Sequence, residues 1–239
     1  MTVLVVSGTG TEIGKTVVTA AVAAVARAAG RSVAVLKPAQ TGVGPGELGD
    51  ADEVVRLAGE GVTPVELVRF PEPLAPATAA RRAGMAPVAP DEVARAARKL
   101  AEEYDLVLVE GAGGLLVRYD AEGGTLADAA RLLDAPVLVV APAGLGTLNM
   151  ATLTGEALRA RGLAQLGVVI GSWPDEPGLA ERCNVTDLPE SAGAPLLGAV
   201  PAGAGALPVD AFRERAATWL APALGGVWDA DAFAAAVGG

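Results

Sequence analysis

Near the start of the chain the residues Gly8-Thr9-Gly10-Thr11-Glu12-Ile13-Gly14-Lys15-Thr16 end in Gly-Lys-Thr, between an apolar run and an Ala-rich segment. A glycine-rich loop at the start of a helix can turn successive backbone N–H groups onto phosphate oxygens. In such a loop Lys15 reaches the terminal phosphates and the Thr16 hydroxyl ligates magnesium. The spacing is a variant one. The usual G-x-x-x-x-G-K-[ST] pattern asks for glycine at position 9, where Thr9 stands, with Gly8 one step earlier.

Further chemistry-bearing residues follow other apolar runs. Glu110, in DLVLVEGAGG, comes directly after the third run, where a carboxylate can hold magnesium and Gly111, Gly113 and Gly114 let backbone approach a phosphate. Lys37, in VAVLKPAQTG, ends the second run on the same edge as the phosphate loop, so it can supply a second cation over a transferring phosphoryl group. Asp50, in Gly49-Asp50-Ala51-Asp52-Glu53, opens a helix and reads as an N-cap, a magnesium ligand, or both. Gly144-Leu145-Gly146-Thr147-Leu148-Asn149 also opens a helix. Its amides can cradle a carboxylate, and loop-and-cap chemistry alone would equally explain it.

The elements that must position these residues are legible in the apolar periodicity. Val3–Val6, Val33–Leu36, Leu106–Val109, Val137–Val140 and Val168–Ile170 read as strands buried on both faces, and Leu196–Val200 as one more. Between them the 3.6-residue period predicts helices over Lys15–Ala29, Ala51–Ala58, Asp91–Glu103, Leu126–Leu132 and Thr147–Arg161, with Gly30 and Gly162 at helix ends. Phe70–Pro90, rich in proline, predicts a surface loop with a short helix. From Pro174 on, the pattern is least regular, apart from an amphipathic Val209–Leu220. The alternation predicts an α/β fold with a doubly wound, mostly parallel sheet, of the P-loop NTPase, Rossmann-like, three-layer type. With no repeat or linker, residues 1–239 are expected to form a single domain.

Composition narrows the chemistry. Among 239 residues there is no histidine, which removes Ser-His-Asp triads, imidazole bases and His-ligated zinc. One cysteine, Cys183, allows no intrachain disulfide. A net charge of -10 disfavours nucleic acid, and no apolar stretch reaches the length of a membrane span, so a cytoplasmic protein is expected.

GTGTEIGKT, KPAQTG, the Asp-Ala step, VEGAGG and GLGTLN, in this order and in a chain of this length, resemble bacterial dethiobiotin synthetases from Met1 to about Gly205. The resemblance implies an ATP-dependent, magnesium-requiring cyclo-ligase that forms C–N bonds in biotin biosynthesis. It would convert 7,8-diaminononanoate, CO2 and ATP to dethiobiotin, ADP and phosphate. By that likeness Thr16, Asp50 and Glu110 match magnesium ligands, and Glu12, Ile13, Gly14, Lys15, Thr16 and Val17 match the phosphate loop. Gly111, Ala112 and Gly113 complete the nucleotide side. Lys37 matches the catalytic lysine, with Lys15 beside it, and Thr11 and Thr41 match substrate contacts. The family is homodimeric with substrate at the interface, its carboxylate tail lying on a partner helix start that corresponds here to Leu145, Gly146, Leu148 and Asn149. The base-binding region departs from the family pattern. Where many members place an adenine-reading Asn, this chain has Gly171-Ser172-Trp173-Pro174, and the later loop reads Pro201-Ala202-Gly203. Trp173 there can stack on a base or pack.

Two other P-loop classes fit less well. Amidating ligases of the cobyrinic acid kind carry an extra glutaminase domain for which this length has no room. Partitioning and division-site ATPases usually carry a second lysine early in the loop, where this chain has Gly10.

Overall fold

In the computed structural model, which describes residues 2–44 and 46–238, a seven-stranded parallel sheet has the order β3-β2-β4-β1-β5-β6-β7. The strands are β1 (Val3–Gly8), β2 (Val33–Thr41), β3 (Val62–Phe70), β4 (Leu106–Gly114), β5 (Val137–Ala141), β6 (Gln165–Trp173) and β7 (Leu196–Pro201). The helices are α1 (Lys15–Ala28), α2 (Asp50–Ala58), α3 (Pro76–Ala83), α4 (Pro90–Ala101), α5 (Leu126–Leu133), α6 (Thr147–Ala160), α7 (Leu179–Ala192), α8 (Val209–Ala216) and α9 (Ala230–Val237). Right-handed crossovers place α1 and α2 on one face, where α8 joins them, and α4 to α7 on the other. The sheet is thus covered on both sides, which is why its central strands are continuous apolar runs. No helix among the described residues is long and apolar enough to cross a membrane.

The core is built from small side chains. Val5, Val6, Val35, Leu108, Val109, Val139 and Ile170 are buried in the sheet, and Val18, Ala20, Ala21, Val22, Ala23 and Ala24 of α1 are buried between the sheet and the neighbouring helices α2 and α8. An alanine-rich helix has little bulk to hold it off, so α1 lies buried along most of its length. This close approach fixes the helix start, and with it the phosphate-type loop, against the C-terminal ends of β1 and β4.

Several elements differ from the sequence expectation: α9 forms where only a tail was expected, β6 runs from Gln165 to Trp173, and four others differ for a local reason. β3 was not expected, because as an edge strand paired only with β2 it carries Thr63, Pro64, Glu66 and Arg69 and lacks a continuous apolar run. α7 was not expected either: its sequence includes Pro189 and many polar residues, and only Asn184, Val185, Leu188 and Ala192 are buried. β2 and β4 extend beyond their apolar runs, to Thr41 and Gly114. Lys37 and Glu110 therefore lie within strands rather than after them.

Candidate active site where two strands part

The pairing of β2 with β4 ends at Leu36 and Val109. Beyond that pair β4 continues along β1, with a register shift before Gly8 meets Gly114, while β2 continues along β3 as far as Thr41 and Phe70. Lys37 and Glu110 are the first residues past the fork, so their side chains meet in the gap. Lys37 is 3% exposed and Glu110 1%, a depth at which an unpaired charge would be costly. Lys37 Nζ lies 2.9 Å from Glu110 Oε1 and 2.5 Å from Asp50 Oδ2, and donates to the carbonyl of Gly111 at 3.1 Å. Burial works to discharge this lysine, but Glu110 and Asp50 outweigh it and raise its pKa above the ordinary lysine value.

Asp50 does not cap α2. Gly49 occupies the cap position, its N–H donating to the Asp52 carboxylate at 2.9 Å, while the Asp50 N–H donates to Gln40 Oε1 at 2.8 Å. The Asp50 carboxylate is thereby left for Lys37, and the capping alternative falls.

Facing this cluster is the loop between β1 and α1. Gly14 has φ 89° and Glu12 φ 57°, both in the left-handed region, so the chain reverses tightly enough to aim its amides inward. Lys15 Nζ donates to the carbonyl of Gly10 at 2.7 Å, folding the lysine back over its own loop. Burial and the nearby Lys37 charge lower the Lys15 pKa. The Thr16 hydroxyl donates to Glu110 Oε1 at 2.9 Å, tying the loop to β4. The loop also rests on β6. A β-carbon on Gly14 would lie 2.2 Å from the carbonyl oxygen of Gly171, and one on Gly171 would lie 1.9 Å from that of Ile13. Only paired glycines permit that backbone contact.

The cluster and the loop share one cavity of about 730 Å³. Of the residues singled out in the sequence, Thr11, Glu12, Ile13, Gly14, Lys15, Thr16, Val17, Lys37, Thr41, Asp50, Glu110, Ala112 and Gly113 line it. Sequence reasoning missed Gln40 and the apolar wall formed by Val43, Pro73, Leu74 and Val117. It also missed Tyr119, whose buried hydroxyl accepts the Ala112 N–H at 3.0 Å and steadies the end of β4 after Glu110; burial raises its pKa. Gln40 stands in KPAQTG and was open to notice, whereas Tyr119 has no local signal.

Other expected residues lie elsewhere. Gly171 is buried under the loop, Ser172 is exposed, and neither they nor Pro201, Ala202 and Gly203 line the cavity. Trp173 packs edge-on against Phe233 with ring centroids 5.0 Å apart, and its carbonyl accepts the Ala202 N–H at 2.6 Å. Of its two alternatives, this is packing. Leu145, Gly146, Leu148 and Asn149 are also outside the cavity, at the start of α6, with Leu145 91% exposed. Asn184 of α7 supports that turn from beneath, donating to the carbonyls of Ala143 at 2.7 Å and Gly144 at 3.1 Å.

Chemically, the cavity pairs two buried ammonium groups with oxygen donors of the kind a hard divalent cation takes: the Thr16 hydroxyl and the Asp50 and Glu110 carboxylates. Glu110 Oε2 is buried and has no hydrogen-bond partner among the described residues, an orphan that a cation would satisfy. Among the described residues no group of three or more acidic, histidine or cysteine side chains is placed to hold a metal ion by itself. A cation here would complete its shell with ligand oxygens and water.

The AAA-domain family profile matches residues 2–205. The ATP-dependent dethiobiotin synthetase BioD of Streptomyces avermitilis is 73% identical over 99% of both chains, and that of Saccharopolyspora erythraea 69% identical over 95% of this chain and 99% of its own. The chain belongs to the dethiobiotin synthetase family. Among solved structures, this dethiobiotin synthetase family member is similar to the septum site-determining protein MinD of Pyrococcus horikoshii, solved with Mg-ADP. The TM-score is 0.56 at 18% identity, covering 90% of this chain and 94% of the other. A ParA-family ATPase of Chlorobium tepidum gives 0.54 at 14% identity, covering 90% and 87%. At such identities the likeness is one of fold, the P-loop NTPase fold expected for the family.

Proposed function

We propose that the protein is an ATP-dependent dethiobiotin synthetase acting on 7,8-diaminononanoate and CO2, a cyclo-ligase confined to one domain. The observation that carries this reading is the convergence of Lys37, Asp50 and Glu110 with Lys15 and Thr16 in one cavity. One amine of the diamine attacks the carbon of CO2 and loses a proton, giving a carbamate. A carbamate oxygen then attacks the γ-phosphorus and ADP departs, leaving a carbamic-phosphoric anhydride. The second amine attacks the carbonyl carbon, and phosphate leaves as the urea ring closes. Since the substrate supplies its own nucleophiles, a chain without histidine is adequate.

Every charged stage is anionic. Lys37, held in place by two carboxylates, faces the carbamate and transferring phosphoryl oxygens, and Lys15 with the amides of Glu12 to Val17 holds the β- and γ-phosphates. Thr16, Asp50 and Glu110 would hold magnesium, which neutralises phosphate charge when bound. Thr11 and Thr41 contact the diamine, Ala112 and Gly113 line the nucleotide side, and Gly111, behind them, offers its carbonyl to Lys37. Gly171, Ser172, Pro201, Ala202 and Gly203 border the base.

The protein works as a homodimer in the cytoplasm, with no nucleic-acid or membrane partner. The exposed Leu145 in the turn before α6, with Met150 and Leu153 on the helix, supports a second copy covering this surface, where Leu145, Gly146, Leu148 and Asn149 would receive the carboxylate tail of substrate bound in the partner. Phosphate release from ATP and magnesium, measured with and without diaminononanoate and bicarbonate and with the product weighed by mass spectrometry, tests the reading. Diamine-dependent release with a cyclic urea product is expected; turnover indifferent to the diamine would overturn it.

A further inference from the structure

Asp50 reaches Lys37 from the start of a helix that follows a loop, unlike Glu110, which is held by a strand. Something must fix that loop if the carboxylate is to keep its place. β3 runs beside β2 with Lys37 opposite Glu66 and Gln40 opposite Arg69. Arg69 forks onto Glu66, with Nε to Oε2 and Nη2 to Oε1 both at 2.9 Å. Its other terminal nitrogen donates to the carbonyl of Glu47 and faces that of Gly44 at 3.5 Å. Nη2 also lies 3.6 Å from Asp52, whose carboxylate receives the Gly49 N–H.

Gly49 fits tightly into this assembly. A β-carbon there would lie 2.2 Å from Glu66 Oε1 and 3.0 Å from Gln40 Oε1, the atom that accepts the Asp50 N–H. Contacts therefore run without a gap from the sheet edge to the buried lysine: Glu66 to Arg69, Arg69 to the turn before α2, Gln40 to the Asp50 backbone, and Asp50 to Lys37. A planar guanidinium can grip both oxygens of a carboxylate while a separate nitrogen reaches the turn, whereas an ammonium donates its three hydrogens from a single point.

We infer that Arg69 is a positioning residue for the active site: anchored by Glu66 on β3, it holds the turn before α2 and thereby sets Asp50 against Lys37. This rests on the proposed roles of Asp50 and of magnesium. The test uses full-length wild type, Arg69→Ala, Arg69→Lys, Asp50→Ala and the Arg69→Ala/Asp50→Ala double variant. ATP binding is followed by calorimetry at stepped magnesium concentrations, beside steady-state turnover and thermal unfolding.

Arg69→Ala should raise the magnesium concentration for half-maximal ATP binding about 10-fold, the size seen when a group supporting a metal ligand is lost. Turnover should fall in parallel, while the KM for the diamine stays within about twofold, because the diamine contacts are left in place. Arg69→Lys should shift the magnesium midpoint in the same direction by less. In the Asp50→Ala background Arg69→Ala should shift it no further, since the group it positions is gone. An unchanged midpoint in Arg69→Ala, or an equal shift with Asp50 already removed, would overturn the inference. If Arg69→Ala does not fold, Arg69→Lys decides by the same midpoint. Wild type lacking diamine-dependent turnover would defeat the proposed function alone, leaving the magnesium–ATP measurement to judge Arg69.

Discussion

The fork inside β2 and β4 and the start of α6 both lie toward the C-terminal side of the sheet, yet they are built in opposite ways. At the fork, Lys37 and Glu110 are almost wholly buried, and the lysine is matched by two carboxylates and a carbonyl. At α6 the turn is braced from below by Asn184 and closed by the Thr147 N–H on the Gly144 carbonyl, while Leu145 projects into solvent. The buried Lys37 charge is compensated by carboxylates of its own chain, and the buried Glu110 Oε2, without a partner among the described residues, is left for a cation. An exposed apolar residue at a helix start is a surface that a partner can cover. The contrast is between an interior lysine matched by two carboxylates and a surface turn whose apolar side chain faces solvent.

The largest effect should come from breaking the compensation at the fork. Glu110→Ala leaves Lys37 buried with a single carboxylate, and denaturant unfolding should show a loss of about 3–5 kcal/mol. A loss under about 1 kcal/mol would mean that the fork admits water freely and that the contrast with α6 is overstated. Lys37→Met keeps most of the side-chain volume but removes the charge. Its kcat in diamine-dependent phosphate release should fall about 10²–10³-fold, and near-normal turnover would remove Lys37 from the chemistry.

Smaller effects sharpen the boundary between the two regions. Gly171→Ala drives a methyl group into the Ile13 carbonyl, so it should cost about 1–3 kcal/mol in stability and raise the KM for ATP, leaving the diamine KM unaltered. Leu145→Asp should do the reverse. Sedimentation should show self-association weakened about 10-fold or more, the scale of one apolar anchor of over about 1 kcal/mol, with ATP affinity unaffected. If it remains as tightly associated as wild type, α6 is not the covered surface. Ser172→Ala, on an exposed residue outside the cavity, should change stability and the ATP midpoint by less than about 0.5 kcal/mol. A larger change in ATP binding would give that side chain a direct part in reading the base.

How far the sequence could be read depended on whether the signal was local. The phosphate-type loop, α1 and the central strands were legible because a glycine pattern and long apolar runs are properties of consecutive residues. β3 was not, because an edge strand needs only one covered face and tolerates Pro64, Glu66 and Arg69. α7 was not, because Pro189 and its polar residues hide a narrow buried stripe. The Asp50 side chain remained ambiguous for a related reason: whether an acidic residue at a helix start caps the helix or serves a site is decided by what lies opposite. Here that is Lys37, and the cap role fell to Gly49 and Asp52.

By itself, then, the order of residues determined the fold class, the family and which side chains carry charge near a phosphate-type loop. Only the tertiary structure decided that β2 and β4 part just beyond Leu36 and Val109, that Lys37 is shared between two carboxylates, and that Gly14 rests on Gly171. Apolar periodicity sets which face of each element is buried, but the partner of a buried charge, or of a bare backbone turn, comes from a residue tens or more than a hundred positions away. That pairing is fixed only when the strands take their places in the sheet.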